Sequence, residues 1–168
     1  KYGFGTFRRA YRQQADRQAQ FSEQVAFFHG CYVNYNHPQL GHDLIRVLNA
    51  MGTGVQLLSK EKCCGVPLIA NGFFAKARRQ AQSNVAAMRE TPLPVIATSS
   101  TCTFTLRDEY PHLLDVDNQD LRDRIELATR WIWRQLDAGR TLPLRPLPLK
   151  VVYHTPCHME KMGWSLYT

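Results

Sequence analysis

The sequence predicts a small α/β fold: a mostly parallel sheet with helices on both faces and the cysteines at the carboxyl-terminal edge of its strands. Short apolar runs alternate with stretches of helical periodicity, the runs end at turn residues, and each cysteine falls just past a run. Alternating strands and helices build parallel sheets with right-handed crossovers, and such sheets gather the ends of all their strands along one edge. With 168 residues, the chain suits one domain with a proper core and crowds two.

The elements follow in order. Residues Phe7 to Gln24, rich in Arg, Gln and Ala, read as a polar helix that connects rather than fills a core. Val25-Ala-Phe-Phe-His29 is the first strand, ending at Gly30-Cys31. Leu44, Val47, Leu48 and Met51 recur at helical spacing up to Gly52, a residue suited to the left-handed position after a helix. Val55-Gln-Leu-Leu58 is the second strand, leading to Cys63-Cys64-Gly65-Val-Pro67. Phe74, Ala77, Ala81, Val85 and Met88 trace one face of the next helix, which ends before Pro92. Pro94-Val-Ile-Ala-Thr98 is the third strand, with Cys102 beyond it.

Leu121, Ile125, Ala128, Ile132 and Leu136 line one face of a long helix from Asp117 or Asn118 to Gly139. Thr141 to Leu149 is a proline-punctuated, extended connection, and Lys150-Val-Val-Tyr-His154 is the fourth strand, followed by Cys157. Phe27-Phe-His29-Gly-Cys31 and Val152-Tyr-His154-Thr-Pro-Cys157 echo one another, as the start of a repeated unit would. The expected divisions are a basic connector at 1–24, a first cysteine-rich domain at 25–140, a linker at 141–149 and the start of a second copy at 150–168. The start without Met and the end at Trp164-Ser-Leu-Tyr-Thr168 point to excision from a longer protein.

Composition narrows the function. No apolar run approaches the roughly 20 residues that span a bilayer, and the start lacks the apolar core of a secretory signal. The net charge of +7, from 21 Lys and Arg against 14 Asp and Glu, favours acidic partners. Lys1, Arg8, Arg9, Arg12 and Arg17 concentrate it in the connector, while Lys76-Ala-Arg78-Arg79 reads as a solvated helix face rather than a nucleic-acid patch. Gly3-Phe-Gly5 is too short and too early for a dinucleotide fingerprint. His29 and His154 precede cysteines and read as structural groups. Of Trp131 and Trp133, which straddle a helix, one is expected in the core.

Five cysteines without a secretion signal argue for reduced thiols available to metal or catalysis. Cys31, Cys63, Cys64 and Cys102 all follow strands, so a shared site at one rim is expected. Inert core cysteines are the plain alternative. Adjacent Cys63 and Cys64 pair poorly with each other but can both face a cluster, with Gly65 letting the backbone pass close by. Zinc is the next competitor, although its sites favour close cysteine pairs in knuckle-like loops. A catalytic thiol at Cys102 lacks a recognisable base.

The stretches His29-Gly-Cys31-Tyr-Val-Asn-Tyr-Asn, Glu61-Lys-Cys63-Cys64-Gly65-Val-Pro67 and Ser99-Ser-Thr-Cys102-Thr-Phe resemble the cysteine-rich CCG domain found in heterodisulfide reductases and in iron–sulfur subunits of respiratory dehydrogenases. The resemblance covers Val25 to about Cys157. It implies a cluster, of 4Fe-4S type, on Cys31, Cys63, Cys64 and Cys102, with Cys157 a metal ligand opening a second copy. The family motif closes on Cys-x-x-Cys, and Ser99 stands at the first of that pair here. That departure leaves a simpler cluster, zinc or an empty site in contention against the five-cysteine non-cubane cluster. The resemblance further implies a non-catalytic electron-transfer subunit. Its flavin-containing partner subunits would oxidise glycerol 3-phosphate (lactate or glycolate in related complexes), with menaquinone as acceptor and a peripheral seat on the cytoplasmic face of the membrane. A zinc-binding or metal-free interaction domain is the alternative.

Overall fold

The structure, a computed structural model, describes residues 5–167. Lys1 of the basic connector and Gly3 of Gly3-Phe-Gly5 lie outside the described residues. The connector forms α1 (Phe7–Tyr11), a 3-10 turn and α2 (Ala15–Ala19). Then come β1 (Glu23–Phe28), a π-helical turn (Tyr32–Asn36), α3 (Pro38–Ala50), β2 (Thr53–Leu57), α4 (Val66–Ala70), α5 (Phe74–Arg89) and β3 (Val95–Ala97). After α6 (Ser100–Phe104), a second π-helical turn (Thr105–Glu109) leads to α7 (Tyr110–Leu114), α8 (Gln119–Arg122), β4 (Ile125–Leu127), α9 (Ala128–Asp137) and α10 (Cys157–Lys161).

The strands form one parallel sheet in the order β2-β1-β3-β4. Winding reverses between β1 and β3, the switch point outside which open α/β sheets hold their ligands. Alternation along β1 divides the core. Val25 and Phe27 face α1, α3 and α9, whereas Ala26 and Phe28 face α5, α7 and α8. Ala77, Ala81, Val85 and Met88 are buried along α5, as their spacing predicts, while Phe74 at its start is 46% exposed. Trp131 is the core tryptophan of its pair, and Trp133 is exposed.

The expected polar connector over Phe7–Gln24 is corrected: it breaks into two short helices that contribute to this core, and Glu23 and Gln24 already belong to β1. Phe7 is fully buried, and a Cβ on Gly41 would lie only 2.5 Å from its ring, so α1 packs on α3 where a glycine makes room. Burying a side chain of that size stabilises by roughly 1.5–3 kcal/mol. Tyr11, also buried, donates its hydroxyl hydrogen to the Val55 carbonyl and ties α1 to β2.

Two further expected elements are corrected. The long helix from Asp117 or Asn118 to Gly139 breaks at Asp123-Arg124, and Ile125-Glu126-Leu127 becomes the fourth strand. It pairs with β3, Ile96 opposite Glu126, and all its residues are buried. Helical spacing of Leu121, Ile125 and Ala128 concealed a strand of three residues, whose buried Glu126 carboxylate is neutralised by Arg130 and Arg134 of α9. Lys150–His154 is not a strand. It has no regular secondary structure, is exposed (Val152 completely) and has no sheet partner among the described residues. Beyond it, Met159 and Trp164 pack against Leu127, with the Arg107 and Arg130 guanidinium groups over the Trp164 ring.

Candidate metal centre

The sheet topology delivers cysteines from three adjacent strands to one rim. β1 runs out through His29 and Gly30, whose φ of 66° is a left-handed turn that swings Cys31 outward at the head of the first π-helical turn. β2 leads through an irregular loop to Cys63-Cys64, and Gly65, at φ 101°, starts α4. Past β3, Ser99 caps α6 by accepting the Cys102 N–H at 3.2 Å. Ser99 therefore spends its hydroxyl on the helix that carries Cys102.

The four sulfurs meet in pairs across neighbouring loops. Sγ of Cys31 lies 3.7 Å from that of Cys63, and Sγ of Cys64 lies 3.4 Å from that of Cys102. A Cβ on Gly30 would stand 3.5 Å from the Cys102 sulfur, so the β1 and β3 loops are in contact as well. Cys31 is exposed, Cys63 and Cys102 are half-buried and Cys64 is buried. Cys157 is exposed at the start of α10 and makes no sulfur contact with this group. Its neighbour His158 reaches the Cys102 helix, 3.0 Å from Thr101 Oγ1.

The thiols are unequal. Contact with Cys102 and burial push Cys64 up to about 12, and contact with Cys64 and burial raise Cys63 as well. Burial and the neighbouring Cys63 raise Cys31. Cys102 moves the other way, held down by its contacts with Cys64 and Ser99, and is the thiol best prepared to ionise. Metal binding would displace protons from the thiols that take it.

Thiolate donors in this number fit iron–sulfur clusters and zinc alike. Tetrahedral zinc with bonds of about 2.3 Å puts every two of its sulfurs about 3.8 Å apart. That spacing is approached within each pair, and among the described residues no three His, Cys, Asp or Glu close around one ion position.

Behind the thiols lies a polar network that sequence reasoning did not assign. Glu61, two residues before Cys63 and with a side chain only 1% exposed, accepts the Gly30 N–H at 2.7 Å and the His29 N–H at 3.3 Å. Arg8 of α1 donates to His29 Nε2 at 3.2 Å and to the Leu58 carbonyl at 2.7 Å. Since arginine only donates, His29 carries its proton on Nδ1, 2.9 Å from the Gly30 carbonyl oxygen. Burial lowers His29 to about 4 and lifts Glu61 to about 8, and the ring nitrogen and carboxyl oxygen of the two lie 3.1 Å apart. His29 is thus the structural group its position suggested.

Asn84 of α5, fully buried, accepts the Lys62 N–H at 2.8 Å and donates to the Cys63 carbonyl at 3.1 Å. It also donates to the Tyr110 hydroxyl, which in turn donates to the Cys64 carbonyl at 3.0 Å. Glu61 stands inside a stretch singled out from sequence; Arg8, Asn84 and Tyr110 lie outside every such stretch and carried no such signal. A cavity of about 310 Å³ lined by Arg8, Asn34, Tyr35, Lys62 and the Cys31–Cys63 pair opens the site to solvent.

Residues 25–107 match the family model of the cysteine-rich (CCG) domain. Over its whole length the chain is 77% identical to the C subunit of the anaerobic glycerol-3-phosphate dehydrogenase of Escherichia coli K12, and spans 43% of that protein. It is 30% identical over 93% of its length to an iron–sulfur protein of Methanocaldococcus jannaschii, covering 30% of that sequence. Over 81% of its length it is 30% identical to the B subunit of the fumarate reductase (CoM/CoB) of Methanothermobacter marburgensis, 26% of which it covers. The chain thus spans less than half the length of each of these relatives.

Proposed function

The chain belongs, through residues 25–107, to the cysteine-rich CCG domain family, and from that premise we propose that it holds an iron–sulfur cluster on Cys31, Cys63, Cys64 and Cys102 and relays electrons within a glycerol-3-phosphate dehydrogenase complex. The observation that carries the reading is the meeting of these four thiols, from loops of three adjacent strands, at one edge of the sheet. A bound cluster supplies one-electron chemistry at a potential tuned by burial and hydrogen bonding. The chain's own residues supply the ligands and fix them: Asn84 and Tyr110 hold the Cys63-Cys64 backbone, and Ser99 orients Cys102.

Four cysteines favour a cluster of 4Fe-4S type, with Ser99 serving the α6 cap rather than a fifth ligand. In this reading flavin-containing subunits donate the electrons and menaquinone accepts them; the 77% identity to the C subunit of an anaerobic glycerol-3-phosphate dehydrogenase supports membership of such a complex. Among the described residues no helix is long and apolar enough to cross a membrane. Attachment at the cytoplasmic face is peripheral in this proposal, through the exposed Arg9, Arg12 and Arg17 of the basic amino-terminal segment. Cys157, exposed and apart, serves the second copy of the domain.

The test mixes anaerobically purified protein with the flavin subunits and adds glycerol 3-phosphate. Bleaching of the visible cluster absorption is expected. A protein that dithionite bleaches, but that substrate and flavin subunits leave unchanged, contradicts the relay.

A further inference from the structure

Cys31 and Cys63 sit on loops 32 residues apart in the chain, yet their sulfurs lie 3.7 Å apart. Groups of the protein itself must hold the two loops together. We propose that Glu61 is a positioning residue for the metal centre: its buried carboxyl group clamps the Cys31 loop to the Cys63 loop and sets the spacing of those two ligands.

The clamp is built from both sides. On one side the two carboxyl oxygens take the consecutive N–H groups of His29 and Gly30, immediately before Cys31. The left-handed turn at Gly30 belongs to the class of backbone conformations that aim successive N–H groups at one acceptor group. On the other side Glu61 adjoins Lys62-Cys63, which Asn84 anchors to α5 through the Lys62 N–H and the Cys63 carbonyl. Glu61 thereby links β1 to a segment already fixed on a long helix. Its side chain is 1% exposed, so water does not replace the lost bonds in a variant.

The chemistry of substitution separates positioning from bulk. Glu61→Gln keeps the volume but offers one acceptor oxygen and places an NH₂ group against an N–H. Glu61→Asp keeps two acceptors and falls short by a methylene. Glu126→Gln is the control, a buried carboxylate bonded to Arg130 and Arg134 rather than to a cysteine loop.

The geometric test uses the metal-free protein, treated anaerobically with oxidised glutathione. Each protein disulfide formed consumes one glutathione disulfide and releases two glutathione thiols. Peptide mapping then gives the rate of Cys31–Cys63 pairing relative to Cys64–Cys102 pairing in the same molecules. Glu61→Gln is expected to lower that ratio on the order of tenfold, as loss of bonds to a charged or strongly polar buried group implies, with Glu61→Asp between and Glu126→Gln at the wild-type value. An unchanged ratio in Glu61→Gln, or an equal slowing of both pairs, overturns the inference.

The second readout loads the same proteins with iron and sulfide and records the electron paramagnetic resonance of the reduced form. A shifted signal in Glu61→Gln, restored towards wild type in Glu61→Asp, is expected, and an unshifted signal counts against the inference. This arm rests on the cluster reading. Failure of wild-type protein to take up iron and sulfide refutes that reading, and the disulfide ratio still decides the role of Glu61.

Discussion

Removing one oxygen atom, by Tyr110→Phe, isolates the support of the Cys63-Cys64 backbone. The Tyr110 hydroxyl is fully buried, donates to the Cys64 carbonyl at 3.0 Å and accepts from Asn84 Nδ2 at 2.9 Å. Phenylalanine keeps the ring that packs among Leu106, Leu114 and the α5 side chains. Each bond contributes about 1 kcal/mol net, and the carbonyl left without its partner adds to the loss. Asn84 still bonds the Cys63 carbonyl, which limits the damage. The expected destabilisation is therefore about 1.5–2 kcal/mol, or a fall in Tm of about 3–8 °C for a chain of this size. Urea unfolding of the metal-free protein, with the slope unchanged, measures it. A midpoint within experimental error of wild type would show that the hydroxyl does not support this loop.

Two further outcomes are expected. Gly54→Ala forces a Cβ into the Gln18 carbonyl and the Phe21 side chain, where the backbone must give way; a loss of about 2–3 kcal/mol in chemical denaturation follows from overpacking, and a neutral effect would refute the close approach of α2 to β2. Peripheral attachment through the basic amino-terminal segment predicts that the protein sediments with anionic vesicles at low salt and is released at 1 M salt, where the Debye length shrinks to about 3 Å; binding unchanged by salt would contradict an electrostatic seat.

Much of this arrangement is legible in the chain because the relevant signals are local. Val25 to Phe28 and Val95 to Ala97 are apolar runs and Val55-Gln-Leu57 alternates, all end at loops, and the cysteines beyond them share a rim because parallel strands share a direction. The fourth strand escaped because Leu121, Ile125, Ala128 and Ile132 satisfy helical spacing. Only pairing with β3, and two arginines of the next helix neutralising Glu126, make Ile125–Leu127 a strand. Lys150–His154 has the composition of a strand but no neighbouring strand among the described residues to bond with. The buried network escaped for a different reason. Arg8 and Glu61 are far apart in the chain, and helical periodicity marks Asn84 only as one more residue of α5.

The proposed electron-transfer role depends first on which cysteines hold the cluster. Iron and acid-labile sulfide, measured per chain in anaerobically purified wild-type protein and in single Cys→Ser variants, decide it. Cys31→Ser, Cys63→Ser, Cys64→Ser and Cys102→Ser are each predicted to lose most of both elements or to change the spectrum of the bound cluster, while Cys157→Ser retains the content and spectrum of the centre built on Cys31, Cys63, Cys64 and Cys102. Wild-type protein that binds stoichiometric zinc in place of iron and sulfide, or a full and unaltered cluster in any of the first four variants, would contradict it.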